Sequence, residues 1–228
     1  MKILLLGIYL PDNIQSIERF VSILQTGLPK FGHQVRIIRP QPWVGNINPS
    51  STGIGKLLGY IDKFFVFPPK LRQEVSWADV VHICDHSGAV YIKFLQNIPH
   101  VVTCHDLLAI RSALGEIQQN QTRWTGKQLQ RLILNGLNQA QQIVCVSEQT
   151  RQDLLRISSL KNSAISLIHM GLNYTYSPME LAKVKHRLSL LKISNNCRFI
   201  LHVGQNVWYK NRLGAVSYTH LRAHETSE

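Results

Sequence analysis

The chain has 228 residues, of which 44% are hydrophobic and 17% are charged, and this composition excludes a disordered chain and predicts a folded globular protein. Lysine and arginine outnumber aspartate and glutamate by 25 to 13, which leaves a formal net charge of +12. This excess favours anionic partners, such as phosphorylated small molecules, acidic lipid head groups or nucleic acid. No apolar run reaches the length of about eighteen residues that a membrane-spanning helix needs.

The cysteines and the first residues indicate a cytoplasmic protein without a metal site. Each of the four cysteines lies in or beside an apolar run, and no Cys-x-x-Cys pair is present, so we expect buried thiols in a reducing compartment. Pro11 and Asp12 interrupt the first apolar run before it reaches the length of a signal sequence. We therefore predict a cytoplasmic protein, and peripheral contact with the inner face of a membrane stays open.

Short β-branched runs alternate with longer amphipathic segments, and this pattern predicts an α/β fold, a parallel sheet with helices on both faces. The seven predicted strands are 2–6, 34–39, 80–84, 100–104, 142–146, 163–169 and 198–203. Apolar residues at helical spacing from Ile14 to Leu28 predict the first helix, with Asp12 or Asn13 as its cap and Gly32 just past its end. Further helices are predicted at 88–95, 123–140, 148–157 and 180–191.

Two irregular segments divide this pattern. The connection from Arg39 to Gly55 is long, and such loops in compact domains are often functional. The segment 171–178 has no clear periodicity, and a helix and a fresh strand follow it. We therefore predict a domain at 1–178, followed at 179–216 by a linker helix and the first strand of an incomplete second domain.

The segment from Lys56 to Arg72 mixes aromatic and cationic residues. One interpretation is a surface that touches anionic lipid. The other, which we favour, is a core helix with a solvated basic edge, because basic residues usually mark a solvated face.

Polar residues directly after the predicted strands are the candidate site residues, because ligands of open parallel sheets bind at the carboxyl ends of the strands. If the strands are as predicted, four groups of such residues line one edge of one sheet. They are the loop from Gly7 to Ser16, Asp85-His86-Ser87, His105-Asp106 with Arg111, and Ser147-Glu148-Gln149-Thr150.

Each group also has a structural explanation. The loop from Gly7 to Ser16 leads to helix N–H groups that can bind a phosphate or a hydroxyl, or it is only a turn, and it lacks the Gly-x-Gly-x-x-Gly pattern of a dinucleotide site. Asp85 or Ser87 has the position of a helix cap, and so has Ser147. His105 with its neighbours can bind hydroxyls and anionic oxygens together, whereas alone it would be structural about as often as functional.

Four motifs in chain order resemble glycosyltransferase family four, whose members have the GT-B fold of two facing Rossmann-like domains. The family's order is kept over nearly the whole chain. The motifs are His105-Asp106-Leu-Leu-Ala109-Ile-Arg111, Val146-Ser147-Glu-Gln-Thr150, Met170-Gly171-Leu-Asn173 and Leu201-His-Val-Gly204-Gln-Asn206-Val-Trp-Tyr-Lys210-Asn211-Arg212.

The resemblance implies a retaining transfer of a sugar from a nucleoside diphosphate sugar to an acceptor hydroxyl, without a cofactor or an obligatory metal. It implies that His105 approaches the donor sugar or the developing charge at the reaction centre. It also implies that Lys210 binds the diphosphate, where negative charge grows as the nucleotide departs. The acceptor would be a glycan, a lipid-linked molecule or a small molecule. The residues expected to contact acceptor or donor are Gly7, Asp12, Ser16, Asp106, Arg111, Ser147 and Thr150.

The chain also departs from the family's pattern. The first loop lacks the paired glycines of many relatives, and Gln205 replaces an arginine that often precedes the lysine. The second domain, with its nucleotide pocket and paired glutamates, is missing, so we expect the fragment to be inactive. Residues 217–228 resemble a translated sequencing-adapter read-through, and we interpret them as an artefactual tail; its His220, His224 and Glu225 do not make a closed metal site.

Two other functions compete with sugar transfer. A non-catalytic binding module for phosphorylated ligands or an anionic membrane surface would also explain the charge. Nucleic-acid binding rests on net charge alone, because no aromatic-basic motif or helix-turn-helix supports it, and we expect no nucleic-acid partner.

Overall fold

A parallel sheet of six strands lies at the centre of the structure, a computed structural model that describes residues 1–47, 53–172, 174, 176–194, 201–204 and 207–217. Every neighbouring pair of strands is parallel, as the sequence predicts, and the order is β2-β1-β3-β4-β5-β6. The strands are β1 Lys2–Leu6, β2 Gln34–Ile38, β3 Val80–Ile83, β4 His100–Cys104, β5 Gln142–Cys145 and β6 Ile165–Leu167.

The strand order places a switch point between β1 and β3. The chain leaves β1 toward β2 on one side and returns to β3 on the other, so the loops after β1 and β3 diverge and leave a crevice at their carboxyl ends. In open α/β sheets this crevice is where ligands bind. Leu6, the last residue of β1, lies beside Ile83, the last residue of β3.

The α-helices that connect the strands begin and end close to the predicted positions. Glu148–Ile157 forms a helix with the predicted bounds, and the predicted helix at 123–140 is observed at Trp124–Leu137. In the part of the chain that the structure describes, the α-helices are α1 Gln15–Gly27, α2 Gly53–Ile61, α3 Phe67–Val75, α4 Leu108–Ala113, α5 Trp124–Leu137, α6 Glu148–Ile157 and α7 Leu181–Leu190, and residues 212–217 are also α-helical.

Alternate residues of β1 enter two separate cores, one on each face of the sheet. Leu4 and Leu6 pack into the larger core with side chains of α3, α5 and α6, whereas Ile3 and Leu5 pack with Ile17 and other residues of α1. A parallel sheet needs cover on both faces because its crossover helices lie there. The run Ile-Leu-Leu-Leu of β1 is therefore apolar at every position.

Three predicted features are wrong in detail. The first helix is capped by Ile14 without a side-chain hydrogen bond, and neither Asp12 nor Asn13 caps it, because Asp12 lies in a separate 3-10 turn, Leu10–Asp12, that ends at a left-handed Asn13. The segment after β3 is a 3-10 helix, His86–Phe94, in place of an α-helix from Gly88. In the predicted strand 198–203, residues 201–203 form no strand, and residues 198–200 lie outside the described residues.

The segment from Gly53 to Val75 packs against the core, as the favoured interpretation of its aromatic and cationic residues expects. It runs through α2, a π-helical turn Asp62–Val66 and α3, and its buried side chains include Phe67 and Leu71. Ile54, Leu57 and Phe65 are exposed. The segment is therefore a core-packing element that also presents apolar side chains to solvent.

A second compact unit, Tyr174–Glu228, follows the first unit, Met1–Asn173. Its described residues form α7, a 3-10 turn, Trp208–Lys210, and a short helical stretch at 212–217. Within the described ranges, no helix is both long and apolar enough to cross a membrane. The predicted tail is described only at Ser217, and its residues 218–228 lie outside the described residues.

The larger core predicts a contrast between two leucines of the segment Gly53 to Val75. Leu71 is fully buried, whereas Leu57 is 61% exposed. We expect Leu71→Ala to lower the free energy of unfolding by about 2–5 kcal/mol through lost burial and a residual cavity. Leu57→Ala, the matched control, should change it by less than about 0.5 kcal/mol. Urea unfolding followed by tryptophan fluorescence measures both, and equal effects would contradict this packing.

Candidate functional site

Four strands bring their carboxyl-terminal residues to one edge of the sheet. The register pairs the ends of β1 and β3 and places Cys104 of β4 beside Cys145 of β5. Gly7, Asp85, His105 and Ser147 come directly after these strands or within two residues of their ends. The arrangement that the sequence predicts for the four polar groups is therefore present.

His105 is held at this edge by a backbone carbonyl and an aromatic ring. Its Nε2 lies 3.0 Å from the carbonyl oxygen of Cys84, which comes directly after β3. The ring of Phe20, on α1, meets the imidazole edge to face with 5.0 Å between ring centroids. A carbonyl oxygen only accepts hydrogen bonds, so Nε2 carries the proton and Nδ1 of the neutral ring is left as an acceptor.

A second histidine packs beside His105. His82, on β3, lies with Nε2 2.8 Å from the hydroxyl oxygen of Thr103, on β4. Its ring also meets Phe20, at 6.0 Å between centroids. Burial, and to a smaller extent the neighbouring His105, lowers the pKa of His82 to about 4. His82 is therefore neutral at physiological pH and adds no charge to the edge.

Asp85 and His86 form a buried polar pair at the switch point. A carboxylate oxygen of Asp85 accepts from the backbone N–H and the hydroxyl of Ser87, so Asp85 caps the following 3-10 helix. Nδ1 of His86 lies 3.4 Å from the other carboxylate oxygen, close enough for an ion pair but without hydrogen-bond geometry. Although burial opposes charge on both groups, each charge favours the other, so the pKa of Asp85 is lowered and that of His86 is raised.

Ser147 and Thr150 have a structural role that also reaches His105. The hydroxyl of Ser147 accepts from the backbone N–H of Thr150 at 3.2 Å and caps α6. The hydroxyl of Thr150 donates to the carbonyl oxygen of His105 at 3.4 Å. These two residues therefore brace the backbone of His105 from the side of β5.

The loop after β1 is anchored at both ends. The backbone N–H of Gly7 donates to the carbonyl of Ile38 at 2.9 Å, and Gly7 is buried beneath the guanidinium of Arg39. Asp12 forms an ion pair with Lys63, with 2.7 Å between Oδ2 and Nζ, whereas Ser16 is exposed on the first turn of α1. The structure places Gly7 at the crevice and ties the carboxylate of Asp12 to a cation.

Asp106 and Arg111 have different hydrogen-bond partners. Asp106 is exposed and accepts from the backbone N–H of Leu108 at 3.0 Å. Arg111 donates to Glu116 at 2.9 Å and to Asp153 of α6 at 3.0 Å. Its guanidinium is thus committed to carboxylates that join α4 to α6, and His105, Asp106 and Arg111 do not form one anion-binding cluster here.

Asp62 is a positioning residue that the sequence analysis missed. It is fully buried, and its carboxylate accepts from the hydroxyl of Tyr9 at 3.0 Å and from the backbone N–H groups of Val44 and Gly45 at 2.9 and 2.8 Å. Burial and this contact raise the pKa of Tyr9 to about 12. Asp62 therefore fastens the long connection after β2 to the loop after β1. A single acidic residue in a mixed aromatic and basic segment carries no sequence signal for this role.

Lys210 lies in the second unit. Its side chain is exposed, and its Nζ lies 5.7 Å from the centroid of the Tyr209 ring. The backbone carbonyl of Lys210 accepts from His202 at 3.1 Å. Among the described residues, no group of three or more His, Cys, Asp or Glu side chains is arranged to hold a metal ion.

The His105 contact predicts one tautomer. We expect the neutral imidazole to carry its proton on Nε2, because Cys84 offers only a carbonyl oxygen at that atom. A long-range ¹H–¹⁵N spectrum at pH 8 distinguishes the two ring nitrogens, with His105→Gln identifying the signals. A protonated Nδ1 in the free chain would contradict the contact.

The pKa of His82 predicts how stability depends on pH. Its pKa falls from 6.5 to about 4 on folding, so the unfolded chain binds a proton between these values that the folded chain does not. Stability attributable to His82 should therefore be lost as the pH falls from 6.5 to 4. We expect the free-energy difference between the parent chain and His82→Gln to shrink over this window in urea unfolding. His33→Gln, on a half-buried histidine before β2, is the control, and a difference for His82→Gln that does not change with pH would contradict the assignment.

Comparisons with known proteins agree with this fold. Crystal structures of HepE from Anabaena align with the chain: the complex with UDP and glucose has a TM-score of 0.51 at 16% identity, and the complex with UDP-glucose has 0.50 at 15%. The first alignment covers 83% of this chain and 50% of HepE, the second 86% and 51%, so the chain spans about half the length of HepE. None of the curated proteins compared matches the sequence.

A family model decides the assignment. The model described as Glycosyltransferase Family 4 matches residues 17–176, which is more than half of the chain and includes the predicted motifs around His105, Ser147 and Met170. The match begins within α1 and ends close to the boundary between the two compact units. The chain belongs to glycosyltransferase family 4.

Proposed function

We propose that the chain is the acceptor-side part of an enzyme that transfers a sugar, with retention of its anomeric configuration, from a nucleoside diphosphate sugar to an acceptor hydroxyl. The observation that carries the proposal is the fixed imidazole of His105 at the switch-point edge of a family 4 domain. The proposal concerns the whole enzyme, of which this chain supplies the first Rossmann-like domain.

His105 would bind the donor sugar through the ring nitrogen that the protein does not use. With Nε2 committed to Cys84, Nδ1 can accept a hydrogen bond from a sugar hydroxyl. In the transfer, the bond between the anomeric carbon and the diphosphate oxygen breaks, the acceptor oxygen bonds to that carbon, and the hydroxyl proton passes to the diphosphate or to water. An oriented hydrogen bond at the reacting sugar lowers the barrier because folding has already met the entropy cost of orienting the imidazole.

Lys210 would stabilise the departing diphosphate from the second domain. Its exposed ammonium group has no carboxylate partner within 4 Å among the described residues. A free cation suits a site where negative charge grows in the transition state. HepE is crystallised with UDP and with UDP-glucose, and this supports a uridine diphosphate hexose as the donor to test first.

The proposal also assigns roles to the other residues at this edge and addresses cofactors and location. Gly7 and Asp12 on the loop after β1, Ser16 on the first turn of α1 and Asp106 on the loop after β4 would contact acceptor or donor. Ser147, Thr150 and Arg111 would support these segments. The transfer would need neither a metal nor another cofactor. The free thiols of Cys84, Cys104 and Cys145 support a cytoplasmic enzyme. The exposed side chains of α2 would allow peripheral contact with a membrane that holds a lipid-linked acceptor.

The proposal is tested with the reading frame recovered from source DNA beyond Ala215, expressed with its complete second domain. We expect release of UDP from UDP-glucose or another uridine diphosphate hexose, and a lower kcat by about a hundredfold or more in His105→Ala and in Lys210→Ala. The 228-residue chain should show no turnover. ¹H NMR of the product reports whether the anomeric configuration is retained.

His33→Ala is the matched control, because His33 precedes β2 at the opposite, amino-terminal edge of the sheet. It should keep the kcat of the parent within about twofold, as expected of a substitution away from the reacting groups. A complete two-domain protein that turns over no nucleotide sugar would refute the proposal. Phosphate or membrane binding without turnover would instead favour the non-catalytic binding module.

A further inference from the structure

A cleft of about 390 Å³ lies beside the edge strand β2, outside the crevice described above. It runs between this strand and α3. Three of its side chains are cations and one is an anion. The lining residues are Arg36, Ile37, Ile38, Arg39, Gln41, Lys70 and Glu74.

The open edge of β2 adds a backbone donor to this cleft. The N–H of Gln34 donates to the carbonyl of Met1, and the carbonyl of Ile38 accepts from the N–H of Gly7. The backbone groups of Gln34 and Ile38 therefore face β1, and so do those of Arg36, two residues from each. Successive residues of a parallel strand alternate in the direction of their backbone groups. The N–H group of Ile37 therefore points away from β1, toward the open edge.

The cations of the cleft are not fully neutralised. Arg36 lies 3.6 Å from Glu74 and stacks over Trp77, with its guanidinium carbon 4.2 Å from the ring centroid. Arg39 is paired with Glu18 of α1. Lys70 is exposed and has no acidic side chain within 4 Å among the described residues. The cleft thus keeps one excess positive charge after both ion pairs are counted.

The cleft adjoins the acceptor-side loop. The guanidinium of Arg39 packs against Gly7, with its Nε and Cζ 3.4 Å from the position that a Cβ would take there. The backbone N–H of Gly7 also bonds to Ile38, a residue of the cleft. Helix α1, which carries the Glu18 partner of Arg39, also carries Phe20, which contacts His105. A ligand in the cleft would therefore sit next to the loop at the switch point.

We propose that this cleft binds a phosphate group of the acceptor substrate, an inference that rests on the proposed sugar transfer. Guanidinium groups match the geometry of phosphate oxygens, and the ammonium of Lys70 and the outward N–H of Ile37 supply further donors. The volume falls in the range of small-molecule sites, about 300–1,000 Å³. The phosphate would belong either to a soluble phosphorylated sugar or to a lipid head group.

The inference is tested on the 228-residue chain by ¹H–¹⁵N NMR during titration with inorganic phosphate, against sodium chloride at matched ionic strength. We expect saturable shifts of the Ile37 amide and of the Arg36 Nε–H. Lys70→Ala breaks no ion pair of the cleft, and it should weaken phosphate binding by about fivefold or more. Arg36→Ala should do the same.

Two substitutions of the same residue types serve as controls. Lys161 and Arg131 are exposed cations outside the cleft, and Lys161→Ala and Arg131→Ala should leave the affinity unchanged. Shifts that do not saturate, or an equal loss in Lys161→Ala, would overturn the inference. Because this measurement needs no turnover, its failure is separate from failure of the sugar transfer, which is measured on the two-domain enzyme.

The source of the phosphate is distinguished by competition. If the acceptor is a soluble sugar phosphate, glucose 6-phosphate should displace inorganic phosphate, and sedimentation with phosphatidic acid vesicles should not depend on Lys70. If it is lipid-linked, the chain should sediment with phosphatidic acid vesicles more than with phosphatidylcholine vesicles, and Lys70→Ala should lower that fraction. Either result supports the cleft, whereas no dependence on Lys70 with both probes would overturn it.

Discussion

The parallel pairing of β1 with β2 on one side and β3 on the other is the constraint on which the rest of this structure depends. Because the two neighbours are reached by crossovers in opposite directions, the loops after β1 and β3 separate and open a crevice. The same central position obliges β1 to be covered on both faces, and its alternate side chains enter two cores. A polar residue inside β1 would therefore disturb the one core that its side chain enters.

The groups at the crevice are held mostly by backbone atoms. The carbonyl of Cys84 orients the imidazole of His105, and the hydroxyl of Thr150 bonds to the carbonyl of His105 itself. Asp62 does the same for the neighbouring loop by binding two backbone N–H groups. Such contacts depend on the positions of whole strands and loops, so folding itself fixes the geometry of this edge. A fixed orientation of this kind is what the proposed sugar transfer would use to lower its barrier.

Charge is arranged unevenly over the first unit. Several cationic side chains form ion pairs with nearby carboxylates, such as Lys63 with Asp12 and Arg111 with Glu116 and Asp153. The pKa of Glu116 is lowered to about 2 by hydrogen bonds from Arg156 and Arg111, so this network stays ionised at neutral pH. The net positive charge of the sequence therefore does not imply a uniform basic surface. In the cleft beside β2, Lys70 has no acidic side chain within 4 Å among the described residues, and this local excess of positive charge is what the proposed phosphate binding would use.

The sequence by itself determined the fold class, most element bounds and the family. These follow from local patterns: short apolar and β-branched runs, amphipathic spacing in α1, and motifs in the order of the family, three of which lie within the matched residues 17–176. It also predicted that the polar groups after the strands share an edge, because parallel strands end on the same side. The roles expected of His105 and of Lys210 at the reaction centre stay predictions.

Only the tertiary structure decided which neighbours each side chain meets. Arg111 follows His105 by six residues, yet its guanidinium is bound by a carboxylate of α6, 42 residues further along the chain. In the sequence, Phe20 and His82 have ordinary helix and strand positions. The contacts of Phe20 with His82 and with His105 arise only when α1 packs against the sheet. Asp12 is a residue type that often caps helices, but it lies in a separate 3-10 turn and forms an ion pair with Lys63. The physical reason is the same in each case. A side chain contacts the groups that folding brings close to it, and the local sequence does not determine which distant residues these are.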